Sequence, residues 1–200
     1  MAERPKVQSE YNAKTHHFKH TEWKKEDRPY LANMVKSFIT SSESHLLYDA
    51  SRRLGSGNYA NLGVAGGKSV NCLAWGLKVG GHQGKVYAVD TYGYKNHSME
   101  QVKARLATVD EYIEYCQGLT SEWAPRLQDV KFKFAFIDAD HSYEHVKEDF
   151  EMWSPLIEVG GEVALHDCNL ETVHRFVKEI DPKQWQLVRH MCVTKVFKKL

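Results

Sequence analysis

The chain has 200 residues, the usual size of one domain with its own hydrophobic core. Hydrophobic residues make up 42% and charged residues 26% of it, which excludes a wholly disordered or collagen-like protein. The 27 basic and 26 acidic residues leave a net charge of +1, so the composition favours neither a nucleic acid nor a membrane as partner. No apolar run approaches the roughly 18 residues that span a bilayer, and the first six residues lack a signal-peptide pattern. We therefore expect a soluble, cytoplasmic protein.

Residues 1–54 are predicted to form an N-terminal arm followed by one or two helices. Polar and charged residues interrupt every apolar stretch of residues 1–30, which is typical of a solvated arm. The apolar positions of residues 31–54 indicate one or two helices, with a break near residues 40–44. We expect residues 1–54 to act as a lid or as a contact in a homo-oligomer, and residues 55–200 to form the main domain.

After residue 57 the chain alternates short apolar segments with amphipathic ones, which is the pattern of successive β-α-β units. Ser98 and Gln101 form a predicted capping box at one helix start. The predicted strands are residues 59–64, 86–89, 113–116, 132–137, 163–165, 186–189 and 194–197. This order predicts an α/β fold with a doubly wound, mostly parallel sheet that a C-terminal hairpin closes.

A glycine-rich segment, LGVAGGKS at residues 62–69, joins the first predicted strand to a helix. Glycines allow a positive φ and a close ligand, and a helix N-terminus offers free N–H groups. A ligand site and a tight turn without a ligand are equally consistent with this segment alone. Gly67-Lys68-Ser69 also matches the end of a phosphate loop, but that motif needs its first glycine at Leu62, so a nucleotide kinase is kept only as an alternative.

Asp90 ends the second predicted strand, 27 positions after Gly63. A carboxylate at this place in an open α/β sheet can accept hydrogen bonds from both hydroxyls of a ribose. A surface turn beside Gly93 is the alternative, which the nearby glycine loop disfavours. We therefore predict that Asp90 binds a ribose.

Acidic residues and histidines follow the next two predicted strands. Asp138, Asp140 and His141 follow the strongly apolar strand 132–137, and His166 and Asp167 follow the strand after it. If these strands are neighbours, Asp138 and Asp167 converge and can share a divalent cation, Mg²⁺ being preferred by carboxylate oxygens, with Asn169 or His166 as a third ligand. The alternative is that acids such as Asp140 cap the helices that follow.

Four segments together resemble the class I S-adenosylmethionine-dependent methyltransferases. They are LGVAGGKS at 62–69, VD at 89–90, FIDADHSYE at 136–144 and GGEVALHD at 160–167. Within that class the chain is most similar to the group of macrocin-type sugar O-methyltransferases and cephalosporin-hydroxylase-like proteins. The resemblance covers about residues 58–200.

The resemblance implies a seven-stranded sheet in the order 3-2-1-4-5-7-6 and S-adenosylmethionine bound across Gly63, Gly67 and Asp90. It also implies Mg²⁺ at Asp138 and Asp167. It further implies that His141 is the base that takes the proton of the acceptor hydroxyl. His141 suits this task because an imidazole titrates near neutral pH, whereas a helix cap is its alternative role.

The predicted cofactor-binding set also includes Asn61, Ser69, Gly118 and Asp138. In the family the first strand ends in an acid where this chain has Asn61, and Gly-Asp near the adenine is replaced by Gly118-Leu119. An acid of the metal-dependent sugar enzymes is replaced by His166.

The sequence therefore predicts an S-adenosylmethionine-dependent O-methyltransferase for a small hydroxylated acceptor, such as a sugar. Two alternatives stay open. One is the nucleotide kinase, and the other is a cofactor-binding module without catalytic activity, which Asn61 and Leu119 leave possible.

Overall fold

The computed structural model describes residues 11–12, 17–18 and 39–200. Most of the predicted arm, and the part of the predicted helical segment before Ile39, lie outside the described residues. Tyr11–Asn12 and His17–Phe18 are two short strands that pair antiparallel with each other. Within the described part of the chain, no helix is both long enough and apolar enough to cross a membrane.

Residues 41–199 contain seven strands of one sheet and six α-helices. The strands are β1 (Asn58–Leu62), β2 (Val86–Asp90), β3 (Ile113–Gln117), β4 (Phe132–Ile137), β5 (Ile157–Leu165), β6 (Trp185–Met191) and β7 (Thr194–Lys199). The helices are α1 (Ser41–Leu54), α2 (Lys68–Gly80), α3 (Met99–Leu106), α4 (Thr120–Arg126), α5 (Tyr143–Trp153) and α6 (Glu171–Val177).

The strands lie in the order β3-β2-β1-β4-β5-β7-β6. Strands β1 to β5 pair in parallel, and β7 runs antiparallel to both of its neighbours, β5 and β6. The predicted fold class and the predicted strand order are therefore confirmed. In this order the carboxyl ends of β1 to β5 all meet at one edge of the sheet, where α/β proteins bind their ligands.

Each face of the sheet has its own hydrophobic core. Strand β4 shows why, because Phe134 and Phe136 belong to the core under α1, α2 and α3, while Phe132, Ala135 and Ile137 belong to the core under α4, α5 and α6. A β-bulge between β4 and its neighbour, at residues 132–134, accounts for the interrupted alternation.

Helix α1 lies within the first of these cores. Thr40 and Glu43 form a capping box that starts the helix, so the predicted break near residues 40–44 is the helix start. Leu47 and Ala50 are buried in the same core as residues of α2. Residues 41–54 therefore pack with the main domain, while the role of residues 1–54 as a lid or oligomer contact stays a prediction.

Three elements differ from the sequence prediction. Strand β5 begins at Ile157 rather than residue 163, because Gly160-Gly161 and two glutamates hide its first half from an apolar pattern. Helix α4 is short and contains Pro125, and no periodic pattern indicated it. The apolar spacing of Val173, Phe176, Val177 and Ile180 predicts a helix to residue 180, but helix α6 ends at Val177.

Candidate active site

A cavity of about 610 Å³ opens where the parallel strands end. This volume lies within the range of sites that hold a small organic ligand or cofactor. Its walls come from the loops after all five parallel strands, β1 to β5, and from Ile39 just before α1. The side chains predicted from scattered parts of the sequence are therefore brought to one place.

The glycine loop after β1 forms one wall of the cavity. Gly63 has φ +86°, and a Cβ there would collide with the carbonyl oxygen of Asp138. The absence of a side chain at Gly63 thus lets the loops after β1 and β4 approach each other. Gly67 also has a positive φ, but a side chain there would press on Val102 and Leu106 of α3, and Gly67 does not line the cavity.

Asp90 holds the glycine loop in place from the end of β2. Its Oδ2 accepts hydrogen bonds from the backbone N–H groups of Val64 (2.6 Å) and Ala65 (3.1 Å), and its Oδ1 accepts one from Tyr92 (2.6 Å). Asp90 also lines the cavity. Because each carboxylate oxygen has two lone pairs, these contacts leave acceptor capacity for a ligand.

Two polar residues near the glycine loop have different positions. Asn61 is fully buried below the loop, where its Nδ2 donates to the carbonyl oxygen of Gly63 (2.8 Å), and it does not line the cavity. Its Oδ1 has no hydrogen-bond partner in the described part of the chain. Lys68, at the start of α2, lines the cavity beside Ser69 and donates from Nζ to the carbonyl oxygen of Ile39 (2.8 Å).

The loop after β3 and helix α5 form a further part of the cavity wall. Gly118 and Leu119 both line the cavity. Gly118 donates its N–H to the carbonyl oxygen of Asp90 (3.0 Å), and Leu119 is an exposed apolar side chain. Asp149 of α5 lines the same part of the wall and is 3% exposed. Burial raises the pKa of its carboxyl to about 6, although a hydrogen bond with Thr120 opposes the shift.

A cluster of two carboxylates and two imidazoles lies where β4 and β5 end. Its members are Asp138, His141, His166 and Asp167, and each offers one ligand atom within 4.8 Å of all the others. Nε2 of His141 is 3.2 Å from Oδ1 of Asp138 and 3.0 Å from Oδ2 of Asp167. Nδ1 of His166 is 3.0 Å and 3.1 Å from the same two oxygens.

Glu43 adds a third carboxylate from α1. Its Oε1 is 3.6 Å from Nε2 of His166, and it accepts hydrogen bonds from Thr194 Oγ1 (2.9 Å) and the N–H of Val193 (3.2 Å). Burial raises the pKa of Glu43, but the His166 contact and the hydrogen bonds outweigh burial and lower the pKa to about 2. Glu43 is therefore an ionised group in the protein interior.

The carboxylates also set the protonation of the two histidines. Burial lowers the pKa of His166, but the Asp138 and Glu43 carboxylates outweigh burial and raise the pKa to about 10. A hydrogen bond with Asp138 raises the pKa of His141, against burial. Without a metal, each imidazole therefore gains a proton more readily than it would in water.

The cluster also fits a divalent cation. The His166 side chain is 2% exposed, and neither of its ring nitrogens makes a hydrogen bond with a described residue. Its Nδ1 faces two carboxylate oxygens, and three such donors suit a divalent metal. Asn169, one of the two predicted candidates for the third ligand, is exposed and does not line the cavity.

The structure thus brings together seven of the predicted site residues and leaves three outside the cavity wall. Those in the wall are Gly63, Ser69, Asp90, Gly118, Asp138, His141 and Asp167; those outside it are Asn61, Gly67 and Asn169. Sequence reasoning missed Glu43 and Asp149, and it considered Lys68 only as part of a phosphate loop. Asp149 had a signal, because it follows Val146 by three positions and so shares the buried face of α5.

Comparison with known proteins agrees with this arrangement. A family model described as a methyltransferase domain matches residues 60–168, a little more than half of the chain. The O-methyltransferase from Bacillus cereus, solved in complex with SAH, has 19% identity and a TM-score of 0.65, over 84% of this chain and 86% of that one. TomG from Streptomyces achromogenes, an O-methyltransferase solved with SAM, has 18% identity and a TM-score of 0.67, over 80% and 81%.

Proposed function

The chain belongs to the methyltransferase-domain family, as an S-adenosylmethionine-dependent methyltransferase, and we propose that it methylates a hydroxyl oxygen of a small acceptor such as a sugar. One observation carries the proposal: His141 lies against two carboxylates in the wall of the same cavity that Asp90 and the glycine loop form. A cofactor site and a candidate base for a hydroxyl proton therefore share one space.

The cavity offers a place for each part of the cofactor. Asp90 accepts a ribose hydroxyl, because it ends β2 in the cavity wall and its Oδ1 keeps one lone pair free beside the bond from Tyr92. Gly63 and Ser69, at the glycine loop and the start of α2, face the methionine part. The loop at Gly118 and the buried Asp149 face the adenine.

Proton removal falls to His141. If its Nε2 carries the hydrogen that faces Asp138 and Asp167, Nδ1 is the nitrogen that takes the proton of the acceptor hydroxyl. The two carboxylates then stabilise the imidazolium that forms, as a carboxylate does beside a catalytic histidine in hydrolases. Methyl transfer from sulfonium to oxygen needs little beyond this proton transfer and the alignment of the two reacting atoms.

We also propose a divalent cation at Asp138 and Asp167. When bound, such an ion supplies positive charge that favours the deprotonated form of a hydroxyl nearby. The protein's part is to hold the two carboxylates at adjoining strand ends, β4 and β5, beside the base.

Isothermal titration with S-adenosylhomocysteine and, separately, with ATP tests the function. We expect the first ligand to bind and ATP not to bind. Replacing Asp90 by Ala should lower the affinity for S-adenosylhomocysteine by about 10- to 100-fold, since hydrogen bonds to a charged acceptor contribute about 1.5 to 3 kcal/mol. Binding of ATP alone would support the kinase. Binding of S-adenosylhomocysteine, with no methyl transfer from S-adenosylmethionine to any hydroxylated acceptor, would support a module without activity.

A further inference from the structure

His166 lies between three carboxylates rather than beside one. Its ring is almost fully buried behind the cavity wall, with Nδ1 towards Asp138 and Asp167 and Nε2 towards Glu43. Glu43 belongs to α1, more than a hundred positions earlier in the chain, and is itself held by Thr40 and Thr194. The direction of the imidazole is therefore fixed by groups from two distant parts of the chain.

The spacing of the donor atoms matches the coordination shell of a small metal ion. Nδ1 of His166 is 3.0 Å from Oδ1 of Asp138 and 3.1 Å from Oδ2 of Asp167. Bonds of about 2.0 to 2.2 Å at the right angles of an octahedral shell place neighbouring donors about 3 Å apart, a spacing that fits Mg²⁺ and first-row transition ions alike. The buried Nδ1, which makes no hydrogen bond with a described residue, is the independent sign that the two carboxylates share a ligand with the ring.

We propose that the metal site selects a first-row transition cation, such as Mn²⁺ or Zn²⁺, over Mg²⁺, because Nδ1 of His166 is its third ligand beside Asp138 and Asp167. This inference rests on the proposed function for the place of the site, but it concerns the identity of the ion. Glu43 is a positioning residue: its Oε1 lies 3.6 Å from Nε2 of His166, and its negative charge favours the tautomer with the hydrogen on Nε2, which leaves the lone pair on Nδ1.

The chemistry of the ligands gives the reason for this selectivity. Mg²⁺ takes oxygen ligands and gives up its water reluctantly, whereas imidazole nitrogen suits transition ions. A carboxylate usually lies beside the other ring nitrogen of a metal-binding histidine. Glu43 lies on that side of His166, 3.6 Å from Nε2. His141, the more exposed of the two histidines, is left to act as the base.

Electron paramagnetic resonance of added Mn²⁺, with Mg²⁺ and Zn²⁺ as competitors, measures this selectivity in the whole chain. We expect Mg²⁺ to displace Mn²⁺ only at an excess of about 100-fold or more, and Zn²⁺ to displace it at similar concentrations. Pulsed measurements should show coupling of Mn²⁺ to one directly bonded nitrogen. The proposal would be overturned if an equal concentration of Mg²⁺ displaced Mn²⁺, if no coupling to nitrogen were seen, or if no cation were bound. In the last case, a protonated His166 would be the counterion of the carboxylates.

Variants separate the ligand from its support. His166→Asp makes the ligands all oxygen and should lower the preference for Mn²⁺ over Mg²⁺ by at least about tenfold. Glu43→Gln should weaken Mn²⁺ binding by about 10- to 100-fold.

His174→Asp, the same change on α6 outside the cavity, is the control. It should alter neither the Mn²⁺ affinity nor the preference for Mn²⁺ over Mg²⁺. An unchanged preference in His166→Asp would overturn the proposal. Titration of the same variants with S-adenosylhomocysteine tells the two proposals apart, because cofactor binding without cation selectivity defeats only this one.

Discussion

Single side chains carry the proposed chemistry, and His141 is the most direct to test. Two carboxylates within 3.2 Å of its Nε2 stabilise the imidazolium form and so strengthen the ring as a base. We expect His141→Gln to lower turnover by about 10²- to 10⁴-fold and to leave affinity for S-adenosylhomocysteine unchanged. His174→Gln on α6 is the matched control. Turnover of His141→Gln within a few-fold of the control would make His141 a structural residue.

The buried carboxyl of Asp149 should make the free energy of unfolding depend on pH. Burial in the folded protein raises the pKa of this carboxyl from 3.8 to about 6. The carboxyl thus binds its proton more tightly in the folded protein than in the unfolded chain. The carboxyl therefore destabilises the fold increasingly as the pH rises from about 4 to above 6, by about 3 kcal/mol at full effect. Asp149→Asn should remove this cost.

Urea unfolding of the Asp149→Asn protein and of the parent checks that expectation at two pH values. The gain in the free energy of unfolding should be about 1 to 2 kcal/mol larger at pH 7.5 than at pH 5. Glu148→Gln, an exposed neighbour on the same helix, should show no such difference. A gain that does not change with pH would mean that Asp149 keeps an ordinary pKa.

At the scale of elements, the approach of the glycine loop to the end of β4 defines the cavity. Gly63→Ala should cost more than about 2 kcal/mol of unfolding free energy, because the new Cβ meets backbone of Asp138 that cannot move aside. Gly81→Ala is the control, since Gly81 also has a positive φ but nothing lies within 4 Å of its Cβ position. Gly81→Ala should lower the free energy of unfolding by about 1 kcal/mol. Equal losses for the two variants in urea unfolding would show that the loops after β1 and β4 move apart freely.

The sequence predicts elements whose pattern is periodic and misses those that depend on partners far along the chain. Strand β4 was predicted with its true bounds because apolar residues fill it, and the acids that follow it mark the sheet edge. Strand β5 was predicted only in its last third, since its glycines are set by neighbouring backbone rather than by an apolar pattern. The sequence around Glu43 indicates a capping box but not a contact with His166, because His166 lies far along the chain on another element.

For the whole molecule, the place of α1 decides where the functional domain begins. The sequence separated residues 1–54 from residues 55–200, whereas α1 shares a core with α2 and brings Glu43 to the cluster. Thr194 at the start of β7 holds Glu43, so the first helix and the last strand meet behind the cavity. A domain that begins at residue 55 would lose both the packing of α1 and this carboxylate.

Two truncated chains test this boundary. Leu46, Leu47 and Tyr48 are all buried by α1 packing, and burial of each such side chain contributes about 1.5 to 3 kcal/mol. Their sum is comparable to the 5 to 15 kcal/mol of stability that a typical domain has. We therefore expect residues 55–200 to show no cooperative urea transition and no binding of S-adenosylhomocysteine, and residues 39–200 to show both. Cooperative unfolding of residues 55–200, with cofactor affinity near that of the full chain, would instead place α1 outside the functional domain.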